Sequence, residues 1–211
     1  MFPKLINLKK LSRKIANREP VRIGVFCSGN GDRSPLAQQV LKDEFKKRGL
    51  ANVKVFSFGL SVSPSSHHAS ASERTASYAR DLGYSGIDAH KRRHASDKDV
   101  QADVNGADLL LAVSPAHLGY LAEYYADEKP TKARDVLMKT WTLNGFANRR
   151  EWTLPFDGFA RAANRLYRGL SSKDPYFHPK TPAGEKAFRK DLDTVISDCK
   201  KAVVRLVGNH E

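Results

Sequence analysis

Cysteine is scarce in this chain: two among 211 residues, Cys27 and Cys199. A disulfide framework is excluded by that number, and so is a cysteine-built zinc site, which takes about four ligands. The seven histidines are scattered, and the His67-His68 pair has no Cys or carboxylate at ligand spacing. No metal and no cofactor is expected. Long apolar runs are absent too: the longest reach about six residues, far short of a membrane span. The N-terminus lacks the continuous apolar core of a secretory signal, and a cytoplasmic protein is expected. There is no internal repeat and no low-complexity tract. Acidic residues are in short supply, 23 against 36 Lys and Arg, for a formal net charge of +13.

The basic excess is uneven. Residues 1–22 hold seven Lys/Arg and one acid, Glu19; residues 129–173 hold ten against three acids. Such surfaces attract nucleic acid, anionic lipid or phosphorylated substrates. No nucleic-acid-binding signature accompanies the charge, so no nucleic acid partner is expected. Phe2, Leu5, Leu8, Leu11 and Ile15 recur at near-helical spacing among Lys and Arg. That pattern predicts an amphipathic helix, docked on its own domain or, as the alternatives, a leader or a weak contact with an anionic membrane. Residues 1–20 are therefore read as a basic extension and 21–208 as one domain. A chain of this length buries about 70% of its unfolded surface and needs no staple.

Apolar strands are expected at Arg22–Phe26, Val53–Phe58, Asp108–Val113 and Asp135–Met138, with helices between them. Residues 34–48 carry a helical stripe, Ala37, Val40, Leu41 and Phe45, broken by Glu44. Ser72 reads as an N-cap, Leu82-Gly83 as a helix end, Ser114-Pro115 as a helix start. The last helix is the clearest: Thr181-Pro182 opens it, Phe188, Leu192, Val195, Ile196, Cys199, Val203 and Leu206 line one face, and Gly208 ends it. Cys199 on that stripe is a small buried hydrophobe. Residues 143–172 give mixed signals and read as an insert. Alternating β and α units imply an α/β fold in three layers, a four-stranded parallel sheet with helices on both faces. Ligands of such sheets bind beyond the carboxyl ends of the strands.

At that end of the first strand stands Cys27-Ser28-Gly29-Asn30-Gly31-Asp32-Arg33-Ser34-Pro35. A loop with five residues between Cys and Arg can wrap its backbone N–H groups around a phosphate, at the start of a helix. The thiol then sits under the phosphorus and the guanidinium grips two oxygens. The amides, the helix N-terminus and Arg33 all favour thiolate over thiol. Ser34 is placed to donate a hydrogen bond to the sulfur. Gly29 and Gly31 are expected at positive φ, with Asn30 between them tolerating the left-handed region.

The string Cys-x-Gly-Asn-x-x-Arg-Ser-Pro at a strand–helix junction resembles the low-molecular-weight protein tyrosine phosphatases. Two further segments carry the resemblance: Ala89-His90-Lys91-Arg92-Arg93, and Asp174-Pro175-Tyr176-Phe177, which is similar to the family's Asp-Pro-Tyr-Tyr. The resemblance implies a phosphomonoesterase, most simply one acting on phosphotyrosine protein. Cys27 would attack phosphorus in line, Asp174 would protonate the leaving oxygen and then deprotonate water, and Arg33 with the loop amides would hold the equatorial oxygens. It further implies that Ser57 and His90 brace Asn30, that Tyr176 and Phe177 line the cleft, that inorganic phosphate or sulfate fits the loop, and that the protein is a monomer.

Asp32 stands where the family has a second cysteine. Two unit charges about 5 Å apart at an effective dielectric near 20 cost roughly 3 kcal/mol, so Asp32 is expected to turn away and pair with a Lys or Arg. Gly31 replaces a residue that is often bulkier. These departures keep two alternatives open: a phosphate-binding module of little turnover, and a phosphatase for phosphoarginine or phosphoserine. An arsenate reductase on the same fold is disfavoured, because no cysteine lies near residues 85–95.

Overall fold

The structure, a computed structural model, describes residues 8–126, 135–148 and 179–208. Its centre is a sheet of four parallel strands: β1 (Val21–Cys27), β2 (Val53–Gly59), β3 (Leu109–Ala112) and β4 (Thr140–Thr142), in spatial order β2-β1-β3-β4. Around it lie α1 (Leu8–Ala16), α2 (Arg33–Lys47), α3 (Glu73–Asp81), α4 (Lys98–Asn105), α5 (Pro115–Ala126), α6 (Leu143–Ala147) and α7 (Pro182–Val207). Two short 3₁₀ turns, Pro64–Ser66 and Ser85–Ala89, sit in the connections.

The strands alternate as the pleat requires. Ile23, Val25, Val53, Val55, Leu109 and Leu111 enter one core with residues of α1, α2 and α7. Phe26, Phe56, Phe58, Leu110 and Ala112 enter a second core with residues of α4 and α5. Both faces are covered, which is why the strand segments read as continuous apolar runs. The stripe on α2 is buried together with Glu44, whose carboxylate receives Arg48 at 2.8 Å and Lys47 at 3.2 Å. Burial works against that charge, but the hydrogen bonds outweigh it and hold the carboxyl below its ordinary range.

Helix ends follow the sequence signals. The Ser72 hydroxyl accepts from the Thr75 N–H, Thr181 Oγ1 accepts from the Gly184 N–H at 3.2 Å, and Gly83 and Gly208 take φ of 85° and 80° after their helices. Cys199 is fully buried on α7, and burial pushes its thiol well up. Helix α1 turns Leu11 and Ile15 into the first core, against α7 and β1. Lys14 pairs with Asp108 at 2.7 Å, pinning that helix beside β3. Phe2 and Leu5 lie outside the described residues.

One strand is misplaced by the sequence reading. Residues 135–138 are helical, not a strand, and β4 is Thr140–Thr142. The Thr140 hydroxyl and the Lys139 N–H both return to the Val136 carbonyl, closing a helical turn just before the strand. The strand signal was the β-branched and aromatic trio Thr140-Trp141-Thr142, which a three-residue edge strand shows only faintly. Of the expected insert, Leu143–Ala147 forms α6, capped by the Thr142 hydroxyl accepting from the Gly145 N–H at 3.0 Å. Residues 149–172 lie outside the described residues.

Candidate active site

β1 ends on Cys27, and α2 starts on Arg33. The intervening loop lies at the carboxyl edge of the sheet. Its carbonyls are tied outward: Cys27 O accepts from Leu60 N–H at 3.1 Å, Ser28 O from Ser61 N–H at 2.9 Å and Gly31 O from Ser72 N–H at 2.8 Å. Close approach of β2 requires glycine at 59, because a Cβ there would stand 2.5 Å from Ser28 O and 3.0 Å from Asn30 N. Cys27 is 3% exposed and Arg33 7%.

Asn30 organises the loop. It is fully buried and is the only loop residue with positive φ, 49°. Gly29 and Gly31 do not enter the left-handed region. Asn30 alone turns the chain, and Gly31 serves by leaving space. The Arg93 N–H donates to Asn30 Oδ1 at 2.9 Å, which fixes the orientation of the amide. Asn30 Nδ2 therefore donates to Ser34 Oγ at 2.9 Å and to Ser57 Oγ at 3.0 Å. Ser57 passes its own proton to Gln38 Oε1 at 2.7 Å. Ser34 Oγ, already an acceptor, has its proton free for Cys27 Sγ, 3.0 Å away. His90 Nε2 donates to the Asn30 carbonyl at 3.1 Å. Burial, with Lys42, Arg92 and Arg93 nearby, drops the His90 pKa to about 4 in spite of that hydrogen bond, so its ring is neutral at pH 7.

The sequence reading missed a second histidine. His117, on α5, is 1% exposed and packs against the other flank of the loop. Ser114 N–H donates to its Nδ1 at 3.2 Å, so the proton sits on Nε2 and is donated to Ser28 Oγ at 3.1 Å. The Ser28 hydroxyl is thereby left a donor. Burial, and then the Arg33 charge, lower the His117 pKa to about 3. Ser114-Pro115 was legible as a helix start; that its first turn reaches the loop was not.

Asp32 departs from expectation in its partners. Its Oδ1 accepts from the Thr75 hydroxyl at 2.6 Å and from the Ser72 hydroxyl, and it makes no ion pair with a Lys or Arg among the described residues. Two hydroxyls and the N-terminal peptide dipoles of α3 satisfy the carboxylate without a cation. The side chain thus ties the loop to α3. Helix α3 in turn holds α7: Arg74 Nε donates to Glu185 Oε2 at 2.7 Å, and its guanidinium stacks 3.7 Å over Phe188. Asp174, Tyr176 and Phe177 lie outside the described residues. Among the described residues no cluster of three or more His, Cys, Asp or Glu is placed to hold a metal ion, and no helix is long and apolar enough to cross a membrane.

The family model described as low molecular weight phosphotyrosine protein phosphatase matches residues 22–158. No curated protein sequence matches the chain. Solved structures share the fold. A YwlE arginine phosphatase, a mutant with a phosphorylated active-site serine, superposes with a TM-score of 0.62 at 17% identity, covering 90% of this chain and 98% of its own. A protein tyrosine phosphatase from Entamoeba histolytica gives 0.60 at 20% identity, covering 88% and 96%. YwlE arginine phosphatase from Geobacillus stearothermophilus gives 0.56 at 22%, covering 91% and 99%.

Proposed function

The chain belongs to the low molecular weight phosphotyrosine protein phosphatase family, and from that premise we propose that Cys27 is the nucleophile of a two-step phosphomonoester hydrolysis. The Cys27 thiolate attacks phosphorus in line and the P–O bond to the leaving group breaks as Asp174 protonates that oxygen. Asp174 then takes a proton from water, whose oxygen attacks the phosphocysteine, releasing inorganic phosphate and the thiolate. Arg33 and the loop amides hold the three equatorial oxygens through both steps.

The observation that carries this reading is the wiring of Asn30. Four fixed partners, Arg93, Ser57, Ser34 and His90, leave the Ser34 hydroxyl one remaining use, a hydrogen bond to Cys27 Sγ. That bond stabilises the sulfur when it departs from phosphorus. The role of Asp174 is supported by its place in the chain. It lies five positions before Pro179, a reach of at most about 17 Å. The start of α7 is held on α3, and α3 is held on the loop through Asp32. The helix that follows Asp174 in the chain thus begins against the helix that anchors the loop. Because Asp32 faces α3, the reading as an inactive phosphate-binding module loses its main support.

The substrate is a phosphorylated protein, with phosphotyrosine the first choice. Phosphoarginine is the second, on the similarity to arginine phosphatases. The apolar face of α1 enters the core, which supports docking over contact with a membrane. Turnover of p-nitrophenyl phosphate tests the mechanism: wild type active, Cys27→Ser inactive but still binding phosphate, and Asp174→Ala reduced about 10²- to 10³-fold. Wild-type inactivity with intact phosphate binding would restore the binding-module reading. A panel of phosphotyrosine, phosphoserine and phosphoarginine peptides decides the residue.

A further inference from the structure

Gly31 leaves a slot in the wall of the loop, and Arg92 fills it. A Cβ on Gly31 would stand 2.9 Å from Arg92 Cζ and 3.0 Å from its Nη2. The guanidinium therefore lies flat on the loop backbone where a side chain of the loop would otherwise project. Its backbone is held in place by Arg92 N–H to Ala69 O at 2.8 Å and His68 N–H to Arg92 O at 3.0 Å. Its Nε donates to Ser70 O at 2.9 Å, which sets the plane of the fork and leaves the Nη edge for another group. The neighbouring arginine is used differently: Arg93 pairs with Asp99 at 3.0 Å and Asp103 at 2.7 Å. Arg92 pairs with no carboxylate among the described residues.

A loop that converges its N–H groups on a phosphate presents its Cβ positions on the outside of that ring. Arg92 is thus outside the ring that holds the phosphoryl group but directly against it. The geometry points to Arg92 as a specificity-determining residue that binds a second anion of the substrate, the carboxylate of an Asp or Glu beside the phosphorylated residue. A planar fork matches a carboxylate in two-point contact, and the partly buried setting strengthens the pair over one in open water. The chain's basic excess favours the same acidic peptides at longer range. This assignment rests on the phosphatase reading of the Cys27 loop, because it takes the phosphoryl group to sit there.

The test uses two phosphopeptides that differ only in Glu or Gln next to the phosphorylated residue. The full-length wild type should prefer the Glu peptide by about tenfold in kcat/KM, with the preference shrinking at high salt. Arg92→Gln should bring the ratio to within about twofold, and Arg92→Lys should keep part of it. The same peptides titrated against Cys27→Ser read the preference as binding, without turnover. No preference in the wild type, or one that survives Arg92→Gln, overturns the assignment to Arg92. Loss of p-nitrophenyl phosphate turnover in the wild type overturns the catalytic reading instead, while the binding titration still decides on Arg92. Thermal melting of each variant identifies any change caused by misfolding.

Discussion

Two flanks hold the phosphate loop, and they hold it in different ways. On one side, Asn30 is fully buried and accepts, donates and is braced at four points, two of them backbone groups. On the other, Ser28 meets the side chain of His117 through a single hydrogen bond. Both flanks use a neutral histidine, half-buried at His90 and buried at His117, yet His90 grips a carbonyl and His117 a hydroxyl. A carbonyl contact locks the path of the chain, whereas a hydroxyl contact orients one rotor. The first flank should therefore govern whether the loop exists, and the second how well it is tuned.

The largest effect should come from Asn30→Ala. It strips the Arg93 N–H, Ser57 and Ser34 of their partner at once, and each buried group left unsatisfied costs about 1–3 kcal/mol. Activity should fall about 10²-fold or more as Ser34 loses its orientation. Chemical denaturation together with p-nitrophenyl phosphate kinetics checks both numbers. A near-normal rate in this variant would break the distinction between the flanks.

Acid should weaken both flanks together. Each histidine has a folded pKa below its unfolded value of about 6.5, so below that pH the unfolded chain takes up a proton that the folded chain refuses. Unfolding free energy should then fall as pH drops from about 6.5 toward 4, by up to about 1.4 kcal/mol per unit for each histidine. His117 continues the trend toward 3. Denaturant midpoints measured at successive pH values test this, and His117→Ala should remove about half the slope between pH 6 and 5. A flat profile would show that both rings charge in place.

The smallest effect should belong to the Ser28 flank itself. His117→Ala should lower kcat by about tenfold or less, and Ser28→Ala should do the same without the loss of packing. If His117→Ala equals Asn30→Ala in rate, the two flanks are equivalent and the comparison fails.

The contrast also marks what could be read from the chain before its fold was seen. Cys27, Arg33 and Asn30 are neighbours in sequence, and the glycines around them gave the loop away. Ser57 and His90 were placed only through a family pattern, and the structure puts both against Asn30. His117 lies 89 positions from Ser28 and carries no local signal, since a histidine in an apolar helix reads as packing. Asp135–Met138 misled because its short apolar run, Val136-Leu137-Met138, fits a buried strand or a helical turn equally well. Gly31 was legible as unusual, but what fills its slot was not. Asp32 was legible as a charge out of place, although its partners proved to be hydroxyls.

Local chemistry along the chain determined the first three strand segments, the caps of the helices and the loop between Cys27 and Arg33, because each depends on residues within a turn or two of one another. Only the tertiary structure decided the protonation of His117, the orientation of Asp32 and the seat of Arg92. Those depend on which groups from α3, α5 and the segment after Ala89 arrive at the carboxyl edge of the sheet. Long-range packing sets that meeting, and no spacing in the sequence encodes it.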